Sequence, residues 1–190
     1  MAIRSLKSGT FSRSGLVGNS VIMPGSYESI ASSTLSSTTA SVTFSSIPST
    51  YSHLQIRISS RSSFAFASMF DSYLAFNGDN TYSGYKDHIL YGNGASPTTV
   101  TASSYNLSYT TPGPTQTASV YNGVVIDILD YANTNKYKVA KFLGGADLNG
   151  SGNIVVGSIL WPNTAAINQI TLSCDGSFIT GSSFALYGVN

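Results

Sequence analysis

The stretch His53-Leu-Gln-Ile-Arg-Ile-Ser59 alternates apolar and polar residues with a period of two. Leu54, Ile56 and Ile58 point to one side of an extended chain, whereas Gln55 and Arg57 point to the other. This period is typical of a β-strand with one buried face. A second stretch, residues 40–47, repeats the pattern. The sequence therefore predicts a β protein.

Similar short segments, separated by Gly-, Pro- and Asn-rich turns, continue to the C-terminus, and none resembles a helix of ten residues or more. Many short strands with regular turns indicate a sandwich or barrel. We predict an all-β, jelly-roll-like two-sheet antiparallel sandwich over residues 26–190, in which 92–120 forms a long loop or carries its own hairpin. The predicted strands are Tyr27–Leu35, Ala40–Ile47, His53–Arg61, Ser72–Asn77, Tyr85–Tyr91, Val100–Tyr109, Ala118–Tyr131, Tyr137–Leu143, Asn153–Leu160, Ile167–Cys174 and Ser183–Val189.

The composition supports an ordered domain with little charge. Of the 190 residues, 12% are aromatic, which argues against disorder, and only 9% are charged, well below the share usual in soluble domains. The net charge of +1 provides no global attraction for nucleic acid or an anionic membrane. Cys174 is the single cysteine, so it cannot form an intrachain disulfide, and its apolar neighbours predict that it is buried.

Residues 1–25 differ from the rest and are predicted to form an extended N-terminal arm. Glycines and a proline interrupt any regular element, and the first acidic residue is Glu28. One interpretation is a mobile terminus, and the other is an arm that becomes ordered against a partner. Apolar residues favour the second interpretation, because a tail that only aids solubility needs no such anchors. The predicted partner-binding residues are Arg4, Leu6, Lys7, Phe11, Arg13, Leu16, Val17, Val21 and Ile22.

The N-terminus contains no apolar stretch typical of a secretion signal, and no segment approaches 18 apolar residues. We therefore expect synthesis in a cytosol, without export by the general route and without a membrane partner. The three cations of the arm are too few for a nucleic-acid footprint, so we expect no nucleic-acid partner.

Residues that could support catalysis are scattered. The G-x-S-x-G and phosphate-loop motifs are absent from the sequence. His53 and His88 are interpreted as isolated surface residues, and Asp127 and Asp130 as residues on opposite faces of a strand. We therefore predict no catalytic residues, no cofactor and no enzymatic activity.

Two weaker patterns suggest binding. Asp147 and Asn149 begin an alternation of oxygen-bearing side chains that resembles half of a calcium loop, but it lacks the downstream Glu, so a glycine-rich turn is the preferred interpretation. Aromatic rings close to predicted turns could stack on sugars, or could equally belong to cores and interfaces. The candidate glycan-stacking residues are Tyr82, Tyr85, Tyr91 and Trp161, with Tyr105 and Tyr109 as further candidates.

A further pattern is carried by six stretches within residues 26–190: Tyr27–Ala31, Val42–Arg57, Leu74–Asp79, Val125–Lys138, Leu160–Leu172 and Ser183–Gly188. Together they resemble a family of small β-rich structural proteins encoded by tailed bacteriophages, notably marine ones. The resemblance implies a virion structural component and transfers no catalytic residues.

The resemblance, the arm and the low charge together lead to the first hypothesis, a capsid decoration or cement protein. It would dock on the major capsid protein through residues 1–25, stabilise the shell and form a homo-oligomer, with a homotrimer favoured. The second hypothesis is a receptor-binding or fibre-tip module that binds host surface glycans, joined to the virion by the arm. A third, an enzyme such as a depolymerase, has the least support in the residues.

Overall fold

The computed structural model describes residues 27–66 and 68–190, and within them the chain forms twelve β-strands. A single 3-10 turn, Tyr82–Gly84, lies between the fourth and fifth strands. The strands are β1 (Tyr27–Thr34), β2 (Thr39–Phe44), β3 (His53–Ser59), β4 (Phe70–Phe76), β5 (Lys86–Gly92), β6 (Pro97–Ala102), β7 (Asn106–Thr111), β8 (Gly123–Leu129), β9 (Lys138–Asp147), β10 (Gly152–Trp161), β11 (Ile170–Phe178) and β12 (Ser183–Val189).

The strands form two antiparallel sheets. The larger sheet has the order β1-β12-β3-β8-β9-β10-β5-β6, and the smaller has the order β2-β11-β4-β7. Strands β1-β12-β3-β8 and β2-β11-β4-β7 form the two four-stranded sheets of a jelly roll, and β9, β10, β5 and β6 widen the first of them. The predicted all-β, jelly-roll-like sandwich is confirmed.

The core between the sheets follows from the period of two. In β3, Leu54, Ile56 and Ile58 are buried, as predicted, and β8 pairs with β3 in a register that sets Ile126 opposite Ile56. These residues join one apolar cluster with inward-facing residues of the smaller sheet such as Leu172. Burying such side chains contributes about 1.5–3 kcal/mol each, which makes this cluster the main source of stability.

The predicted strand Val100–Tyr109 is wrong, because the chain changes sheets within it. β6 belongs to the larger sheet and β7 to the smaller, with a bend at residues 103–105. Asp87, which is 1% exposed, holds this bend: its Oδ1 accepts from the Ala102 amide at 2.7 Å, and its Oδ2 accepts from Ser104 Oγ at 2.6 Å. The segment 92–120 carries no hairpin of its own, because β6 pairs with β5, which precedes the segment, and β7 pairs with β4.

The predicted strand Ala118–Tyr131 begins late, at Gly123, because residues 113–120 wrap around a buried cation. Arg61 is 6% exposed, and its Nη1 donates to the carbonyls of Thr117 (2.8 Å) and Val120 (2.7 Å). Its Nη2 donates to the carbonyls of Gly113 (2.6 Å) and Gln116 (3.1 Å). These four hydrogen bonds satisfy the guanidinium. Because the carbonyls of residues 113, 116, 117 and 120 point at Arg61, they do not pair with a neighbouring strand.

The segment 1–25, with its nine predicted partner-binding residues, lies outside the described residues. Within residues 27–66 and 68–190, no helical segment has the length and apolar character that crossing a bilayer requires.

Replacing Arg61 by Met should destabilise the domain strongly, because four carbonyls of residues 113–120 lose their donor. We expect a loss of about 3 kcal/mol in the free energy of unfolding, or roughly 10 °C in Tm, measured by circular dichroism during heating. Lys86→Met, at an exposed cation on β5, is the control and should change Tm by no more than about 2 °C. Equal shifts in the two variants would show that the carbonyl contacts of Arg61 contribute nothing special.

Candidate functional site

The outer face of the smaller sheet carries a group of aromatic and carboxylate side chains. In β4, Leu74 and Phe76 are buried in the core. Because side chains alternate along a strand, those of Asp71 and Tyr73 point to the outer face. The register continues this face across the sheet, because Tyr73 lies opposite Asn106 of β7 on one side and opposite Ser173 of β11 on the other.

Three tyrosines form the aromatic part of the site. The ring of Tyr105 lies 5.5 Å from the ring of Tyr73 and 5.5 Å from that of Tyr82, both in edge-to-face geometry. Tyr82 stands in the 3-10 turn and is 49% exposed, whereas Tyr73 and Tyr105 are half-buried. Two of the aromatic candidates from the sequence, Tyr82 and Tyr105, are therefore brought together here.

Hydrogen bonds fix the polar groups around these rings. The Asn106 amide Nδ2 donates to Asp71 Oδ2 at 2.7 Å and to the Tyr82 hydroxyl at 2.8 Å. The Tyr109 amide donates to Asp71 Oδ1 at 3.1 Å. Burial raises the pKa of Asp71, and the nearby Asp175 adds to the shift, while these donors oppose it. Asn106 Oδ1 is buried and has no hydrogen-bond partner.

Asp175, the second carboxylate of the group, orients the ring of Tyr73. The Tyr73 hydroxyl donates to Asp175 Oδ1 at 2.6 Å, and burial together with this carboxylate raises the pKa of Tyr73. The tyrosine is therefore a neutral donor at any ordinary pH. An exposed ring edge beside oriented carboxylate and amide groups is suited to a ligand with both hydroxyl groups and apolar carbon faces, as a sugar has.

Sequence reasoning missed Tyr73, Asp71 and Asn106. The signal for Tyr73 and Asp71 was available, since the alternation of β4 places both residues on the face opposite Leu74 and Phe76. The proximity of Asn106 was not, because it depends on pairing between β4 and β7, more than 30 residues apart in the chain.

Two of the predicted glycan-stacking residues are wrong, because their rings are buried. Tyr85 and Trp161 stack on each other with centroids 6.4 Å apart and lie against Phe76 in the core. The Tyr85 hydroxyl donates to the Asp79 carbonyl at 2.9 Å, and Trp161 Nε1 donates to Asp79 Oδ2 at 2.8 Å. Neither ring offers a free face to a ligand.

The remaining aromatic candidates, Tyr91 and Tyr109, form a separate pair. Their centroids are 4.5 Å apart, and both half-buried rings pack against the core. They do not join the group around Tyr73.

The weak metal candidate lies in the turn between β9 and β10. Asp147 Oδ1 accepts from the Asn149 amide at 2.8 Å, and Asn149 has a left-handed φ of 63°. This arrangement is an ordinary Asx turn, which agrees with the preferred interpretation. In the described part of the chain, no group of three or more His, Cys, Asp or Glu residues could hold a metal ion.

The titratable residues considered for catalysis have structural partners. His53 is not isolated: its Nδ1 accepts from the Asp130 amide at 3.1 Å. Asp130 accepts from Lys136 Nζ at 2.5 Å, which holds its pKa below the usual range, and Asp127 accepts from Gln55 Nε2 at 2.8 Å on the outer face of β8.

His88 is exposed beside the buried Asp87. Cys174 is buried, as predicted, and burial raises its pKa to about 11.

Comparisons with family models, with curated proteins and with solved structures found no match to this chain.

The ionisation of Asp79 should make the free energy of unfolding depend on pH. The hydrogen bond from Trp161 holds the pKa of Asp79 below its usual value. The carboxylate therefore contributes stability above the unfolded pKa of about 4, and that contribution is lost as the pH falls through the lower folded pKa. Asp79→Asn should cost about 1 kcal/mol at pH 7, and the difference from the parent should shrink below pH 4.

Urea unfolding at several pH values, followed by the fluorescence of the single tryptophan, measures this difference. A difference that stays constant from pH 7 to pH 3 would contradict the role of the ionised carboxylate.

Proposed function

We propose that this chain is a non-enzymatic structural protein of a bacteriophage virion, a capsid decoration or cement protein that docks on the major capsid protein through residues 1–25. The resemblance to phage structural proteins supports this proposal, as does a jelly-roll domain whose outermost strands, β1 and β6, each pair with one neighbour among the described strands. On the same proposal the protein acts as a homo-oligomer in the virion, with a trimer as the favoured state.

The observation that carries the proposal is the position of Tyr27. It begins β1, the outermost strand of the larger sheet, and among the described strands β1 pairs only with β12. The described part of the chain therefore starts at a sheet edge rather than under the core. A fully extended chain of 25 residues spans about 80 Å, a reach that suits docking on a neighbouring protein.

The composition of the segment suits such docking. Its apolar residues, among them Phe11, Leu16 and Val17, can fill pockets, while its main chain can pair with the edge of a sheet on the partner. Each contact can be weak, because many copies bound to one symmetric shell gain through avidity when they also contact each other.

Deleting residues 1–25 should abolish binding to capsids while the β-domain still folds. We expect capsid occupancy, measured by sedimentation of purified shells with labelled protein, to fall at least tenfold while the far-ultraviolet spectrum is retained. Two matched variants separate the contributions: Phe11→Ser with Leu16→Ser should reproduce most of the loss, whereas Arg4→Gln with Lys7→Gln should weaken binding less and make the remaining binding less sensitive to salt. Undiminished occupancy after the deletion would refute the role of the arm.

The second candidate function is that of a receptor-binding or fibre-tip module for host surface glycans. The group formed by Tyr73, Tyr82 and Tyr105 with the oriented Asp71 and Asn106 favours it, because these side chains combine exposed ring surface with fixed hydrogen-bonding groups.

A glycan array with the full chain tests this candidate. Tyr82→Ala should weaken any binding roughly tenfold, equivalent to about 1.4 kcal/mol, by removing the most exposed ring of the group. Tyr137→Ala removes another exposed tyrosine, outside the group, and should have no effect. Absence of binding by the parent, or equal losses in both variants, would rule out a glycan site at these residues.

A further inference from the structure

The outer face of the larger sheet carries a cluster of exposed aliphatic side chains on β8, β9, β10 and β5. The antiparallel register aligns one residue from each of four adjacent strands in a single row, because each is directly opposite the next. This row consists of Val125 (β8), Leu143 (β9), Val156 (β10) and Leu90 (β5), all exposed to solvent.

Further exposed apolar residues extend the row into a patch. Leu129 and Val139 lie toward one end of β8 and β9, and Ile154 lies toward the other end on β10. Contiguous apolar surface of this kind is uncommon on soluble monomers and marks an interaction site. We call these seven residues the apolar face.

Ile154 gives the apolar face a distinctive shape. It is 67% exposed, and its two cross-strand neighbours, Gly145 on β9 and Gly92 on β5, have no side chains. Gly123 of β8 follows in the same row beside Gly145. A depression of about 650 Å³ lies over these glycines. One protruding side chain therefore stands next to a hollow with ample room for another such side chain.

We propose that the apolar face binds the apolar face of a second copy of this chain. The two larger sheets would pack face to face, about 10 Å apart, around a two-fold axis that runs parallel to the strands between β9 and β10. This axis sets each β10 strand over the β9 strand of the other copy. Ile154 of each copy then enters the hollow over Gly145 of the other.

The same operation matches most of the other positions of the apolar face. It sets Leu143 over Val156 and Val125 over Leu90 in one row, and Val139 over Leu160 at one end, where Leu129 faces Lys86. In the next row it sets Asp127 over His88 and Lys141 over Ser158, so that no two like charges meet. This self-complementarity favours a second copy over an unrelated partner.

The size of the face suits a dimer. The six strands from β3 to β6 overlap under this operation, and at a spacing of about 4.8 Å and a length of six to ten residues they present a face of roughly 700 Å². Stable interfaces bury about 800 Å² on each partner. The contact stands independently of the capsid proposal, since purified protein should form it.

Gly123→Leu is the sharpest test, because it fills the hollow without straining the single chain. A Cβ at Gly123 meets no atom within 4 Å, and the residue needs no left-handed φ. The variant gains exposed apolar surface, which would increase non-specific association. The affinity of the proposed dimer should nevertheless fall at least tenfold. Ser41→Leu adds the same side chain to the outer face of the smaller sheet and should leave the association unchanged.

Sedimentation velocity over a series of protein concentrations measures the association, and Tm at low concentration verifies folding. We expect the parent chain to form a dimer, Ile154→Asp to weaken it at least a hundredfold, and deletion of residues 1–25 to leave it intact. A parent chain that stays monomeric at about 100 μM, or that assembles only as a trimer, would overturn the proposal. So would a dimer unaffected by Gly123→Leu, or a deletion variant that loses or strengthens the association, since the arm would then bind or cover the face.

Discussion

The guanidinium of Arg61 determines how the two sheets are joined at one end of the sandwich. A buried charge is costly unless hydrogen bonds replace the lost water, and four carbonyls of residues 113–120 accept from Arg61. The bonds fix the connection that leads from the smaller sheet to the larger. Immediately after it, Asn122 accepts from the Ser60 amide at 2.6 Å, so that β8 begins beside the end of β3. The central pairing of the larger sheet starts from this point.

Other ionisable side chains serve the same purpose in this sparsely charged chain. Lys138 is buried, which lowers its pKa, and its ammonium donates to the carbonyls of Lys136 at 2.8 Å and Thr164 at 3.0 Å. Asp87 binds the bend between β6 and β7. Each of these groups pairs with backbone or hydroxyl groups where a loop leaves its sheet. Irregular segments therefore obtain hydrogen bonds that a ladder would otherwise supply.

The two outer faces of the sandwich differ in chemistry, and this difference separates the proposed roles. The smaller sheet presents tyrosines with carboxylate and amide groups, suited to a polar ligand. The larger sheet presents aliphatic residues and a glycine hollow, suited to another protein surface. The two faces are therefore available for separate contacts, and neither of them competes with the core for its side chains.

The alternation of apolar and polar residues determined the fold class and most of the strands. This period of two is visible in the sequence because it depends only on which face of each strand is buried. It also indicated which side of β4 carries Tyr73. The sheet change within Val100–Tyr109 depended on Asp87, a partner at least 15 residues away that no local pattern reveals. Likewise Tyr82 and Tyr85 are three residues apart in the same turn region, yet one is exposed and the other buried. Only the packing of the two sheets decided between them, because burial depends on neighbours that come from distant strands.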